Sequence, residues 1–321
     1  MAIGTTAALA ACGGGGGDGL GLDVGSAAGS GGSAINAANS TVVASQAFLA
    51  SGELNTQTSD SGGGLVQASI KQMDKALGIA FLNRANGLTN TLVVNCAQGG
   101  TATITLDAAS TQQVSSGDSV LVSADNCVDG TDSANGAIRI DFTEVTGRPS
   151  STSAWNGTMT VSFTDFTFDD GNESNTANGG MTLTYDQTAA RTATFSLAGN
   201  SLRVQTTEDG TTAERELSAF NTSGSVNGDL LTYRTGFTLS GDLPQLGESE
   251  SPFTVNTLTD FTQQENSNPS QGALQVTAGD GSSLTLTTLD TTNVNIAVDS
   301  DGDGTAEQNT TTTWDALADA I

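Results

Sequence analysis

From about residue 90 onward, apolar and polar residues alternate with a period of two, and this feature restricts the fold more than any other. Alternation places apolar side chains on one face of a strand and polar side chains, here mostly Thr, Ser and Asn, on the other. The segments that show it most clearly are 138–142, 159–163, 181–185, 284–286 and 294–298. The pattern predicts an antiparallel sheet with one packed face and one solvated face.

Four short motifs, three containing one Gly and one containing two, divide this strand-rich region at similar intervals. They are Asn135-Gly136, Gly179-Gly180, Asn227-Gly228 and Gln271-Gly272. We interpret each motif as a turn that precedes a strand. Together they predict a β domain at 89–321 built from degenerate repeats of about 44–48 residues, each a few strands of a meander.

Two segments before this domain show the spacing of apolar residues that is typical of amphipathic helices. The first is 35–51 and the second, with the clearer pattern, is 65–83. The apolar face of the second segment consists of Val66, Ile70, Met73, Leu77 and Phe81. The predicted fold is therefore mainly β with a minor helical N-terminal part at 35–88. We expect a large curved antiparallel β-meander or half-barrel that packs on an amphipathic helix.

The charge of the chain excludes one large class of partners. There are 35 Asp and Glu residues against nine Lys and Arg, which gives a formal net charge of −26 at pH 7. Such a charge repels the phosphate backbone, so we expect no nucleic-acid binding. The chain also has no His, the commonest general base and transition-metal ligand. Because the sequence also shows no recognisable set of catalytic residues, we expect that the protein is not an enzyme.

The N-terminal sequence Leu9-Ala10-Ala11-Cys12 is followed at once by five glycines. It resembles the lipobox of bacterial lipoproteins. The resemblance implies a partial signal peptide at 1–11, lipid attachment to Cys12 and a Gly-rich tether over 12–34. Gly13 after the cysteine implies sorting to the outer membrane, with the domain facing the periplasm or the cell surface. Two acyl chains suffice for stable anchoring, so the expected partner is the membrane.

Cys96 and Cys127 lie in similar local sequences, VNCAQGG and DNCVDGT. In an oxidising compartment, a pair of this kind indicates one disulfide between neighbouring strands. The alternative is a redox-active pair. The sequence favours the structural disulfide, because it contains neither a C-x-x-C motif nor a basic neighbour that would lower a thiol pKa.

The segment VDSDGDGTAEQ carries Asp299, Asp301, Asp303 and Glu307, with glycines between the aspartates. It resembles the first half of an EF-hand-type calcium loop, in which oxygen ligands at alternate positions converge on the ion. The position of the bidentate Glu is occupied by Thr310. The alternative is a polar hairpin turn, for which Asp-Gly is well suited. Calcium is therefore the one cofactor that the sequence suggests, and both interpretations stay open.

Three functions are consistent with these features. The first is a non-enzymatic cell-envelope lipoprotein, a tethered β-rich structural or interaction domain. The second is a binding module for a lipid or another apolar ligand, with a cavity formed by the curved sheet. The third is a calcium-dependent adhesion or surface protein.

Overall fold

The computed structural model describes residues 34–54, 58–59, 62–63, 89–110, 113–149, 153–169, 171, 173–208, 210–243, 246–265 and 267–320. In chain order, the elements in these ranges are α1 (Ser40–Glu53), β1 (Thr58–Ser59), β2 (Gly62–Gly63), β3 (Thr89–Asn95), β4 (Gly99–Asp107), β5 (Ser119–Asp129), β6 (Asp132–Gly147), β7 (Trp155–Asp169), β8 (Glu173–Ala189), β9 (Thr192–Glu208), β10 (Thr211–Asn227), β11 (Leu230–Leu243), β12 (Gly247–Gln264), β13 (Pro269–Thr277), β14 (Ser283–Thr288), β15 (Asn293–Asp299), β16 (Gln308–Thr313) and α2 (Trp314–Ala318).

Strands β3 to β16 form one 14-stranded sheet in which each strand pairs with its neighbours in sequence. All of these pairs are antiparallel. The sheet is open, with β3 at one edge and β16 at the other. The prediction of a large curved β-meander with a minor helical part is confirmed.

The period-two pattern of the sequence appears directly in the burial of the strands. In β15, Val294, Ile296 and Val298 are buried, and the residues between them are partly exposed. The same alternation runs along β7 from Trp155 to Phe163. The inward side chains of successive strands join in one hydrophobic core, because neighbouring strands present their apolar residues on the same face.

Helix α1 packs on the sheet at β11, β13, β14 and β15, and it also contacts α2. It lies within the predicted 35–51 segment except for its last two residues. Val43, Ala44 and Ala47 are buried, and the ring of Phe48 lies 4.6 Å from that of Trp314 between centroids. The second predicted helix at 65–83, with its apolar face, lies outside the described residues.

Three of the four motifs that we interpreted as turns are not turns, and this part of the sequence interpretation is wrong. Asn135-Gly136 lies inside β6, Gly179-Gly180 inside β8 and Gln271-Gly272 inside β13. Only Asn227-Gly228 lies at a hairpin, between β10 and β11. The physical reason is that a glycine with positive φ serves a β-bulge as well as it serves a turn.

The bulge around Gly136 shows how these motifs are used. Gly136 has φ 82°, and a Cβ atom there would lie 2.0 Å from the carbonyl oxygen of Asp165 on β7. The pairing register of β6 and β7 shifts at this point, between Asn135 and Ala137. Asn135 accepts a hydrogen bond through Oδ1 from the backbone N–H of Asn126 on β5, at 2.7 Å. The motif therefore introduces a bend within a long strand and stabilises the bulge on the adjacent strand.

Candidate functional site

The acidic residues predicted to bind a metal ion lie in the loop that joins β15 to β16. Asp299 is the last residue of β15, and β16 begins one residue after Glu307. Gly302 and Gly304 have φ values of 75° and 88°, a region that favours glycine. The loop is thus a β-hairpin connection, and the resemblance to an EF-hand does not extend to flanking helices.

The loop brings all four predicted ligands together. Asp299, Asp301, Asp303 and Glu307 each offer one carboxylate oxygen, and these atoms lie within 4.8 Å of one another. Asp299 is partly buried, and the other three are exposed. We call this group the acidic cluster. Carboxylate oxygens are hard ligands, which Ca²⁺ and Mg²⁺ prefer, whereas softer metals prefer nitrogen or sulfur ligands.

Backbone N–H groups of the loop hold the aspartates in place. Asp299 accepts hydrogen bonds from Gly302 N at 2.7 Å and from Gly304 N at 2.9 Å. Asp301 accepts from Asp303 N at 3.1 Å, and Asp303 accepts from Thr305 N at 2.7 Å. These local bonds are the turn-forming bonds expected of Asp side chains, so they fix the carboxylates before any ligand is present.

Glu307 closes the loop from the other side. Its Oε2 accepts hydrogen bonds from the backbone N–H of Ser300 at 2.7 Å and from the Ser300 hydroxyl at 3.0 Å. The residue at the twelfth loop position, Thr310, pairs with Ile296 in the β15–β16 ladder. Glu307 therefore supplies the fourth carboxylate of the cluster, and the twelfth position belongs to the sheet.

The predicted disulfide is present. Cys96 and Cys127 are bonded, with their Cα atoms 5.4 Å apart. Cys96 directly follows β3, in the turn before β4, and Cys127 lies in β5. The bond therefore joins the turn of the first hairpin of the sheet to the third strand, close to a sheet edge. The other predicted site residues, Cys12 and the apolar face at 65–83, lie outside the described residues.

The sequence interpretation missed a buried polar network on the apolar side of the sheet. Arg215 of β10 is 5% exposed, and its Nε donates to Oε1 of Gln46 on α1 at 2.8 Å. Its Nη1 donates to Thr206 at 3.3 Å, and the Thr206 hydroxyl donates to Asn175 at 2.8 Å. The sequence contained a signal for this network, because Arg215 lies between Ala213 and Leu217 at a position where the alternating pattern predicts an inward side chain.

The network ties α1 to the sheet through polar contacts as well as apolar packing. Gln46 is fully buried, and its Nε2 has no hydrogen-bond partner among the described residues. A buried unsatisfied donor is costly, so the bond from Arg215 to Gln46 Oε1 and the packing of α1 have to outweigh that cost.

No protein-family model, curated protein or solved structure matches the chain. Within the described ranges, no helix combines the length and the apolar character required to cross a bilayer.

Proposed function

We propose that the protein is a non-enzymatic, lipid-anchored protein of the bacterial cell envelope, whose β-sheet domain serves a structural or interaction role. The observation that carries this proposal is the disulfide between Cys96 and Cys127. Disulfides form and persist in oxidising compartments such as the periplasm and the cell surface. The chain has three cysteines, so the disulfide accounts for every cysteine except Cys12 of the lipobox-like motif.

The form of the sheet supports the same proposal. Thr, Ser and Asn occupy many of its solvent-facing positions, for example Thr160 and Ser162 on β7. A solvent face rich in small polar side chains is consistent with a domain that takes its stability from a large core and has a structural or interaction role. The chain also contains no histidine for acid–base or nucleophilic catalysis.

The anchor is tested by replacing Cys12 in the native bacterial host and by labelling with an alkyne-bearing palmitate. We expect the wild-type protein to incorporate label and to stay with the membrane fraction. Cys12→Ser should incorporate none and should become soluble, because it lacks the acylated side chain.

A matched control is the double variant Cys96→Ser with Cys127→Ser, which removes two thiols and leaves Cys12. It should still be labelled. Label that survives in Cys12→Ser, or unchanged membrane partition of that variant, would show that the anchor assignment is wrong.

We also propose that the acidic cluster binds calcium weakly, with an affinity in the range of extracellular calcium-binding modules. The supporting observation is that carboxylate oxygens of four residues lie within 4.8 Å of one another in a loop held by its own backbone. Four like charges so close repel one another, and a divalent cation relieves that repulsion. With no bidentate Glu at the twelfth position, we expect a dissociation constant of about 10⁻⁴–10⁻³ M.

Thermal unfolding measures this binding. Calcium at about 10 mM should stabilise the protein by roughly 1–3 kcal/mol relative to EDTA, because it binds only the folded loop. Asp301→Asn keeps an acceptor for the Asp303 N–H and removes one charge, so it should lose most of that gain. Asp186→Asn, at an exposed position on β8, is the matched control and should keep it. Superimposable curves with calcium and with EDTA would leave the loop as a hairpin turn.

A further inference from the structure

The outer edge of β16 presents backbone groups that pair with no strand in the described ranges. Directly after this strand, the Trp314 N–H donates to the Thr292 carbonyl oxygen at 3.0 Å. Hydrogen-bonded pairs recur at every second residue of an antiparallel ladder, so Thr312 and Thr310 bond to β15. The N–H and C=O groups of Thr311 therefore point away from the sheet, and its side chain is exposed.

The edge at β3 is open in the same way within the described part of the chain. The Cys96 N–H donates to the Gly100 carbonyl oxygen at 3.2 Å, which sets the phase of the β3–β4 ladder. Thr91 and Val93 therefore direct their backbone groups away from β4, and both side chains are exposed. At 59% exposure, Val93 leaves an apolar side chain on the solvent face of this edge strand.

Neither edge strand has the features that usually prevent one sheet from pairing with another. Thr89–Asn95 and Gln308–Thr313 contain no charged residue and no Pro, although the whole chain carries a net charge of −26. Their ladders with β4 and β15 contain no β-bulge. Proteins protect sheet edges with charges, prolines and bulges, so these two strands are suited to pairing with a further strand.

We propose that β16 of one copy of this chain pairs with β3 of a second copy, so that the sheet continues from one molecule to the next. This names a partner for the interaction role proposed above and rests on that role. In an antiparallel sheet of 14 strands, β3 and β16 run in opposite directions, so the added strand keeps the antiparallel pattern. The outward-pointing residues Thr311 and Val93 both have side chains on the solvent face, so the apolar faces of the two copies stay on the same side.

Charge favours this head-to-tail pairing over a symmetric pairing of β16 with β16. In the symmetric arrangement, the acidic cluster of each copy would lie beside Asp315 and Asp319, which follow β16 in the other copy. Like charges brought together in this way oppose association. In the head-to-tail arrangement, the end of β3 lies beside the start of β16, and the cluster faces the turn at 96–98, which has no charged residue. Because the two paired surfaces differ, the contact repeats and builds a ring or a filament.

The assembly is tested by sedimentation velocity on the Cys12→Ser protein, which keeps the full chain without a lipid anchor. We expect the mean mass to rise with concentration above that of the monomer. The rise should be steeper in 0.5 M NaCl than in 50 mM NaCl, because salt screens the repulsion between copies. Thr311→Lys adds a charge to the edge and should weaken association by about tenfold or more.

Thr182→Lys is the matched control, because it makes the same change in charge at an exposed position on the interior strand β8. It should associate like the parent protein. Equal loss of association in the two lysine variants would show that the edge is not the contact. A monomer at every concentration and salt would overturn the assembly itself.

The pairing of the two edges is tested by mixing Thr91→Cys with Thr311→Cys, both in the Cys12→Ser protein, and joining thiols with a short bis-maleimide linker. Cys96 and Cys127 are bonded, so each variant has one free thiol. Peptide mapping should find links between positions 91 and 311. Links between like positions only would overturn the head-to-tail arrangement. Because this protein lacks the anchor, failure here is distinct from failure of lipidation at Cys12.

Discussion

At three places in the sheet, a glycine and a phenylalanine lie side by side on neighbouring strands. A Cβ atom on Gly199 would lie 2.2 Å from Phe220 Cζ, and one on Gly224 would lie 2.7 Å from Phe195 Cζ. The third pair is Gly272 with Phe261, again at 2.2 Å. In each pair the ring occupies the space that a side chain would need. Packing therefore requires glycine at these positions, because the Phe ring lies directly against the glycine backbone and leaves no space for a Cβ atom.

The Gly199–Phe220 contact predicts a specific loss of stability. Gly199→Ala should lower the free energy of unfolding by about 1–3 kcal/mol, because the buried ring has to move to admit a methyl group. Chemical denaturation followed by tryptophan fluorescence measures the difference.

Gly52→Ala is the matched control for that change. Gly52 lies in α1, and a Cβ atom added there would have no neighbour within 4 Å. The substitution should therefore raise stability by up to about 1 kcal/mol through helix propensity. Equal stability of Gly199→Ala and wild type would show that the sheet can open around Phe220.

At the scale of the elements, the two edges of the sheet are held differently. β16 leads directly into α2, whose Trp314 donates its indole N–H to the Asp290 carbonyl oxygen at 3.2 Å. At the other edge, β3 pairs only with β4 in the described part of the chain, and the disulfide joins the turn of that hairpin to β5. The cross-link therefore secures an edge hairpin whose outer strand pairs with one neighbour in the described part of the chain.

Removing the disulfide should loosen this edge before the rest of the sheet. In the Cys96→Ala, Cys127→Ala double variant, we expect faster amide hydrogen exchange in β3 and β4 and unchanged exchange in β13 to β15. The free energy of opening β3 and β4 should fall by up to about 3.5–4 kcal/mol, the chain-entropy value for a closed loop of this size. Uniformly faster exchange across the sheet would contradict a local role for the cross-link.

At the scale of the whole molecule, net charge opposes the compact state. The formal charge is −26, and the described ion pairs are on the surface, as in Arg234–Asp260 at 3.1 Å. Exposed pairs of this kind contribute about 0–1 kcal/mol each, so they offset little of the self-repulsion. The stability of the fold therefore comes from the large apolar core, against an electrostatic penalty that depends on salt.

Raising KCl from 10 mM to 0.5 M at pH 7 should raise the melting temperature by a few degrees, because screening weakens the repulsion more than it weakens the surface pairs. Differential scanning calorimetry measures the shift. The control is the same pair of buffers near pH 4.1, the sequence pI, where the gain should shrink. A melting temperature that falls with salt at pH 7 would show that the ion pairs dominate.

The local sequence determined much of this structure by itself. Alternation sets which face of a strand each residue occupies, since successive side chains point in opposite directions. It therefore predicted the antiparallel meander and the buried faces of strands such as β15. The pairing of Cys96 with Cys127 and the acidic turn after Asp299 were also predictable, because both depend on residue chemistry and short spacing.

Only the tertiary structure decided the features that depend on distant neighbours. Asn135-Gly136 and Asn227-Gly228 have the same local preferences, yet one is a bulge and the other a hairpin turn. At a bulge the partner strand continues past the glycine, and at a hairpin turn it does not. The sequence of a short segment does not determine which of these occurs. The contact of Arg215 with Gln46 likewise joins residues 169 positions apart, and the hydrogen bond from the Ile35 N–H to the Ser282 hydroxyl joins residues 247 apart. Such contacts arise from the packing of α1 on the finished sheet, so they follow from the fold as a whole.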